Sequence, residues 1–413
     1  MDITWERQKK MRWLYMIVGV VILLCVGLIY GWSVFRVPLE QDFGWTKAET
    51  SVTFTISMIM LCLGGLVSGV LTGKKGPRLT LCLCAFFLAT GFIASSFIDS
   101  LPGLYAAYGG LAGFGVGLGY NCCISTCVKW FPDKQGLASG LTMFGFGGGA
   151  MIFGTLAASL IGSVGWRMTF LILGVVFAVL ILAGAFIIKP VTKEFQEQVA
   201  SAGHKRVQAL EEVDWRYMLR RRNWWLYFSF SVFIAASGMA IFNISTVYAN
   251  LFVHNLTQAA AIAGIVSIAN GVGRIAFGQL FDSMGYKVTM SGVCLSVMAA
   301  AAILIAVEGL QNVFLLCAGF FLVGFGFGGM ATCNSAFTAY FFGSKNYALN
   351  FSFVTFNVMP ASIIGPACGS GSFTMTFAAM IVLAGLALAG TLLIRKPHVM
   401  TESNQVGIGT IKS

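Results

Sequence analysis

Asn270 and Arg274 stand four residues apart inside an apolar run, Ala260-Ile-Ala-Gly-Ile-Val-Ser-Ile-Ala-Asn-Gly-Val-Gly-Arg-Ile-Ala-Phe-Gly. That spacing puts both side chains on one face of a helix. Arginine offers a planar fork of N–H donors that matches a carboxylate, and a neighbouring amide can hold a hydroxyl or carbonyl beside it. Placing a guanidinium deep in hydrocarbon costs about 2.5 kcal/mol or more, so a chain that keeps one has an anion or a water-filled space for it. Two readings follow. Either Arg274 binds an anion, or its side chain snorkels to the inner surface, seven residues or roughly 10 Å away along the helix.

Other residues with hydrogen-bonding capacity fall inside apolar runs: Tyr30, Trp32, Tyr120, Asn121 and Asn334. Hydrocarbon would leave them unsatisfied, so they either line a cavity or bond neighbouring helices. Trp32 also suits a membrane-interface anchor. No Asp or Glu lies within the runs away from their ends, and His204, His254 and His398 fall in loops or the tail, so a proton relay of titratable side chains has no members. The eleven cysteines lie in or at the ends of apolar runs without zinc-ligand spacing and read as small packing residues. Gly145-Phe-Gly-Gly-Gly lacks the Gly-Lys-Ser/Thr of a phosphate loop. No catalytic constellation, metal site or cofactor is expected.

These residues must be positioned by membrane helices. The 413 residues are 57% hydrophobic and 10% charged, far from the roughly 25% charged residues of a soluble domain. Spans of about 20 apolar residues are predicted at 13–35, 50–72, 79–98, 103–126, 137–162, 168–188, 224–249, 258–281, 286–307, 312–339, 347–369 and 372–394. The first reads as an uncleaved helix, since it has no Ala-x-Ala site. With the N-terminus inside, 22 Lys/Arg fall on the cytoplasmic side and three, Arg36, Lys47 and Arg167, on the other. The asymmetry predicts both termini in the cytoplasm and assigns the net charge of +11 to topology rather than to nucleic acid. A prokaryotic inner membrane suits the compact loops. The segment 189–223 divides a six-helix half, 1–188, from a second, 224–413. Within it 193–199 reads as helical and Asp214-Trp-Arg-Tyr-Met-Leu-Arg-Arg-Arg as a basic amphipathic stretch on the inner surface.

The halves repeat each other. Gly69, Gly76 and Arg78 recur as Gly278, Gly285 and Lys287 at an offset of 209. Gly113-Phe-Gly-Val-Gly with Lys134 recurs as Gly324-Phe-Gly-Phe-Gly with Lys345, and Met168-Thr-Phe as Met375-Thr-Phe. Parallel six-helix repeats around a midplane site describe a secondary transporter.

Gly278-Gln-Leu-Phe-Asp-Ser-Met-Gly-Tyr-Lys287 and its partner at 69–78 resemble the cytoplasmic loop signature of the major facilitator superfamily. Within it Tyr30-Gly-Trp-Ser-Val-Phe, Tyr120-Asn121, Lys129-Trp-Phe-Pro-Asp-Lys-Gln-Gly-Leu-Ala-Ser-Gly140, Asn270-Gly-Val-Gly-Arg274 and Asp282 are similar to the oxalate/formate antiporter and bacterial monocarboxylate group. The resemblance implies an all-α, twelve-helix transporter whose Arg274 binds substrate, with Tyr30 and Tyr120 on the pathway. Asp282 is expected to lock two spans by its charge on a helix end. Relatives that handle a dicarboxylate carry a lysine in the eleventh span, where this chain has Asn357; no Lys or Arg occurs between Lys345 and Arg395. One fixed charge balances one carboxylate, so the expected cargo is a small monocarboxylate such as lactate, formate or pyruvate, exchanged for another anion or moved with a proton. A dicarboxylate exchanger, a transporter of a neutral solute and a carboxylate sensor are the alternatives. The expected binding residues are Arg274, Asn270, Tyr120, Tyr30, Asn357 and Asn121.

Overall fold

The structure, a computed structural model, describes residues 3–192, 194–195, 199, 210, 212–254, 256–368 and 372–396. Most of 193–199, together with His204 and His398, lies outside them. A segment in hydrocarbon must satisfy its own backbone groups, which leaves the helix as the form these apolar runs can take. Among the described residues, ten helices are long and apolar enough to cross a membrane. Two of them, Gln135–Ile187 and Leu256–Leu310, double back at Gly165 and Gly285 and so supply two crossings each.

Twelve spans result. The first runs Ile3–Gly27, passes through a 3-10 turn at Leu28–Gly31 and continues as Trp32–Phe43. The second is Lys47–Lys75, the third Pro77–Ser95 and the fourth Leu101–Trp130. Gln135–Ile187 holds the fifth and sixth, Arg222–Val253 is the seventh, and Leu256–Leu310 holds the eighth and ninth. Val313–Phe342 is the tenth, and Phe373–Leu393 the twelfth. Between these the eleventh is broken, Tyr347–Thr355 and then Val358–Cys368.

The repeat seen in the sequence has a backbone counterpart. Gly76 turns the chain from second to third span at φ 82°, ψ 174°, and Gly285 turns it from eighth to ninth at φ 80°, ψ 175°. A side chain would be strained at either position, so glycine is required there.

Two departures from the predicted spans have local causes. The first span extends eight residues past 35, because Leu39 and Phe43 continue at i+4 spacing the apolar face begun by Phe35, with Pro38 accommodated inside the helix. The eleventh breaks at Phe356-Asn357, where Pro360 has no N–H to give the carbonyl of residue 356.

Buried side chains gather into two cores. One spans Tyr15 to Val199 and centres on Phe35, Phe92, Tyr108, Phe170 and Phe177. The other spans Met218 to Ile394, with Tyr248 packed against Phe320, Phe373 and Phe377. Ala339, Tyr347 and Phe351 of the second half pack into the first core. Exposed apolar residues such as Ile17, Phe86, Val179, Phe186, Val247, Leu295 and Val382 cover the outside, as lipid contact requires.

The end of the linker is docked. Leu210 N donates to Tyr340 O at 2.8 Å and Val213 N to Phe342 O at 3.2 Å. The Glu212 carboxylate accepts from Ser344 N at 3.1 Å and Lys345 N at 2.9 Å. Asp214 caps the short helix Trp215–Arg220, whose Met218 is buried while Tyr217 is exposed.

Candidate functional site

The fifth and eighth spans meet backbone to backbone. A Cβ placed on Gly136 would lie 2.3 Å from the Gly278 carbonyl oxygen, and one on Gly140 2.3 Å from that of Arg274. Gly278 is equally close to Gly136, and Gly271 sits under the Phe144 ring. Missing side chains at i, i+4 spacing bring the two helices close enough for a long side chain on one to reach the main chain of the other.

Arg274 does so. Its Nε donates to Asn270 Oδ1 at 3.0 Å, and its Nη1 donates to the Met143 carbonyl across the interface. Helical side chains tilt toward the N-terminus, and here that carries the guanidinium along the eighth span away from Asp282 and deeper into the membrane. The snorkelling alternative therefore does not describe this side chain. Nη2 makes no hydrogen bond among the described residues, and Arg274 as a whole is only 4% exposed. Gly147 lies against the guanidinium: a Cβ there would sit 3.4 Å from Arg274 Cζ and 3.5 Å from Asn270 Oδ1.

Tyr30 and Tyr120 reach the neighbourhood of Arg274 through Phe146, whose neighbour Gly147 sits against the guanidinium. Both rings lean on Phe146, at centroid distances of 5.1 and 4.7 Å, and Tyr120 stacks on Phe351 at 6.1 Å. Tyr30 lies within the 3-10 turn of the first span and is 37% exposed, although it lies far from either helix end. Thus Arg274, Asn270, Tyr30 and Tyr120 come together at the boundary of the two cores.

The other expected residues go elsewhere. Asn121 donates to Ala348 O at 2.9 Å and Ser352 Oγ at 2.7 Å, and Ser352 donates to Gly65 O at 2.8 Å. It ties the fourth and eleventh spans instead of facing Arg274. Asn357 was expected to line the binding space, but the helix break turns it into the second core. There it is fully buried, donating to Ser231 Oγ and, at 3.6 Å, to Met330 Sδ. Asn334 Oδ1 accepts from Tyr227 and Ser231, both at 2.8 Å, in the same cluster. Trp32 is neither anchor nor cavity wall: it is buried against Tyr108 with its Nε1 donating to Thr50 O at 3.1 Å.

In the loop signature, Asp282 accepts from Gly136 N at 2.9 Å and Leu137 N at 2.8 Å, setting its carboxylate on the first turn of the fifth span. A negative charge there meets unpaired amides and the positive end of the helix dipole. Nearby, Arg12 pairs with Asp133 at 2.8 Å. Gly69 abuts Ala348, Leu349 and Ser352, Arg78 lies 4.2 Å over the Phe186 ring, and Lys287 is exposed. Among the described residues, side-chain bonds between the cores run through Cys62, Gly65, Asn121, Gly136, Leu137 and Met143, from the midplane to the connection at 131–134. Toward the other face such bonds stay within one core, as Tyr105 to Glu49 and Tyr248 to Leu304. Among the described residues, the side-chain ties between the cores all lie on one side.

Sequence reasoning missed Met143, Ser352, Gly147 and Glu212. Only Gly147 carried a signal, the glycine run at 145–149.

Comparison with known proteins follows the same lines. Residues 20–366 match the family profile described as Major Facilitator Superfamily. An uncharacterized MFS-type transporter of Escherichia coli, YhjX, is 28% identical over 348 residues, 84% of each chain. The oxalate:formate antiporter of Oxalobacter formigenes is 28% identical over 373 residues, 88% of this chain and 85% of its own. Mouse monocarboxylate transporter 12 is 28% identical over 281 residues, 62% of this chain and 56% of its own. Among solved structures, the proton:xylose symporter XylE superposes with a TM-score of 0.69 at 14% identity, covering 92% of this chain and 94% of its own. The human organic anion transporter MFSD10 gives 0.70 at 13% identity, covering 93% and 99%. Such distant likeness establishes the fold and says nothing of the cargo.

Proposed function

The chain belongs to the major facilitator superfamily, and from that premise we propose that this secondary transporter carries small monocarboxylate anions by alternating access, with Arg274 holding the carboxylate. One observation carries the reading: at the boundary of the cores the buried Arg274 is fixed through Nε and Nη1 while Nη2 makes no hydrogen bond among the described residues. A carboxylate oxygen accepting from Nη2 forms a charge-assisted hydrogen bond, and Tyr30 and Tyr120, packed on Phe146 beside Gly147, are the residues that would border the rest of the anion.

Charge counting supports one carboxylate over two. A second negative group would enter a low-dielectric space without a cation, a penalty of several kcal/mol. The eleventh span supplies none, since no Lys or Arg occurs between Lys345 and Arg395. The oxalate:formate antiporter named above carries a dicarboxylate and a monocarboxylate by its name; this chain is read as keeping the monocarboxylate side of that chemistry.

In this reading the halves 1–188 and 224–413 rock about the site, joined by 189–223. The glycine contacts of the fifth and eighth spans close the inner side, and their separation opens it. The excess of Lys/Arg supports a cell-membrane protein with both termini in the cytoplasm. Flux is coupled to a counter-anion or to a proton.

Uptake of labelled lactate, formate and oxalate into proteoliposomes, with and without internal carboxylate, tests this. The reading expects lactate or formate to enter and oxalate to be excluded; dependence on internal anion assigns exchange, and dependence on a proton gradient assigns symport. Oxalate entering as fast as the monocarboxylates would contradict it.

A further inference from the structure

A second cationic site lies far from Arg274, on the face that carries the ends of the eighth and twelfth spans. A cavity of about 480 Å³ is lined by Met284, Gly285, Tyr286, Lys287, Tyr340, Arg395 and Lys396. Three of these residues are cations and none is acidic. The ion pairs among the described residues, Arg12 with Asp133, Arg36 with Glu40 and Arg167 with Asp99, involve none of them.

The site is built rather than incidental. Gly285 reverses the chain so that Lys287 follows the turn directly. Tyr286 OH donates to Ile394 O at 3.2 Å, which fixes the end of the twelfth span beside the turn. Asn223 Nδ2 donates to Arg395 O at 2.7 Å and brings the start of the seventh span, with Arg222, to the same place. Tyr340 stands 6.1 Å from Tyr286, ring to ring.

We infer that this cavity binds the headgroup phosphate of an anionic glycerophospholipid. Three converging cations with a tyrosine hydroxyl suit a phosphodiester, and basic pockets between helices at the cytoplasmic level are where such headgroups are held. The surroundings select a lipid over a soluble anion. Met284, Val288, Leu392 and Leu393 are 63%, 49%, 61% and 52% exposed at the rim and on the adjoining turns of the ninth and twelfth spans. An acyl chain hanging from a headgroup in the cavity would lie along that apolar surface; free phosphate would leave it unused.

Native mass spectrometry of the delipidated full-length protein, titrated with phosphatidylglycerol, phosphatidylcholine or inorganic phosphate, tests the assignment. Phosphatidylglycerol is expected to bind at least tenfold more tightly than phosphatidylcholine, with phosphate alone failing to compete at millimolar concentration. Each juxtamembrane cation contributes roughly fivefold, so the Arg395→Gln/Lys396→Gln variant is expected to lose about 25-fold, while Lys9→Gln/Lys10→Gln, on the N-terminal segment, keeps the affinity. Equal binding of both lipids by the wild-type protein would overturn the proposal without any variant. Equal loss in the two double variants would reduce it to a general basic surface, and competition by phosphate would reassign the cavity to a soluble anion.

Discussion

Arg274 donates through Nη1 to the main-chain carbonyl of Met143, so a side chain of the eighth span is tied to the backbone of the fifth across the two cores. The bond exists because Gly140 lets the helices touch: a Cβ there would lie 2.3 Å from the Arg274 carbonyl oxygen.

Gly140→Ala therefore wedges the interface apart. Overpacking of this kind costs about 1–3 kcal/mol, enough to shift a two-state balance by about 5- to 150-fold. Spin-label distances between the fifth and eighth spans should lengthen, and uptake should fall. Unchanged distances would show that the contact does not hold this side shut.

Asn121 and Ser352 form the second tie, through bonds of 2.7 Å to each other and 2.8 Å from Ser352 to Gly65 O. Asn121→Leu removes two donated hydrogen bonds, each worth about 0.5–1.5 kcal/mol. Hydrogen exchange in 347–355 should quicken by about tenfold, with the seventh span unaffected. A uniform change across all spans would mean general destabilisation instead.

Much of this was legible beforehand, for physical reasons that also set the limit. The spans follow from hydropathy because hydrocarbon leaves no other solution, and Gly76 and Gly285 betray their shared backbone because only glycine tolerates it. Arg274 and Asn270 were visible as polar residues four apart. Their acceptor was not, since a main-chain carbonyl such as that of Met143 has no sequence signature. Asn357 misled because direction depends on the break at Phe356-Asn357, and a regular helix through that point would aim it elsewhere. The docking of Glu212 on Ser344 and Lys345 joins residues 132 and 133 positions apart, beyond any local pattern.

Asn270 and Asn357 should separate binding from stability. Asn270→Ala frees Arg274 Nε and should raise the KM for the carried acid about tenfold, as loss of a hydrogen bond to a charged group implies. Asn357→Ala removes the donor to Ser231 Oγ and one of two donors to Met330 Sδ, so it should lower thermal stability by about 1–3 kcal/mol with KM within twofold of wild type. The reverse pattern, seen in transport assays and thermal unfolding, would put Asn357 in the site and Asn270 outside it.

Asp282→Asn keeps the shape of the side chain and removes its charge from the first turn of the fifth span. Charge at a helix terminus is worth about 0.3–2 kcal/mol, so unfolding in detergent should begin at lower temperature and the spin-label pair across this end should populate longer distances. Wild-type values in both would leave the carboxylate no latching role.

The most direct measurement is binding and uptake of labelled lactate by wild type and Arg274→Lys side by side. Lysine keeps the charge but lacks the fork that lets one group hold Asn270, Met143 and a carboxylate together. The account predicts that affinity and uptake both fall by at least tenfold while the protein stays folded. Wild-type binding and uptake in Arg274→Lys would contradict it, and would make this arginine a helix clamp with no part in holding the anion.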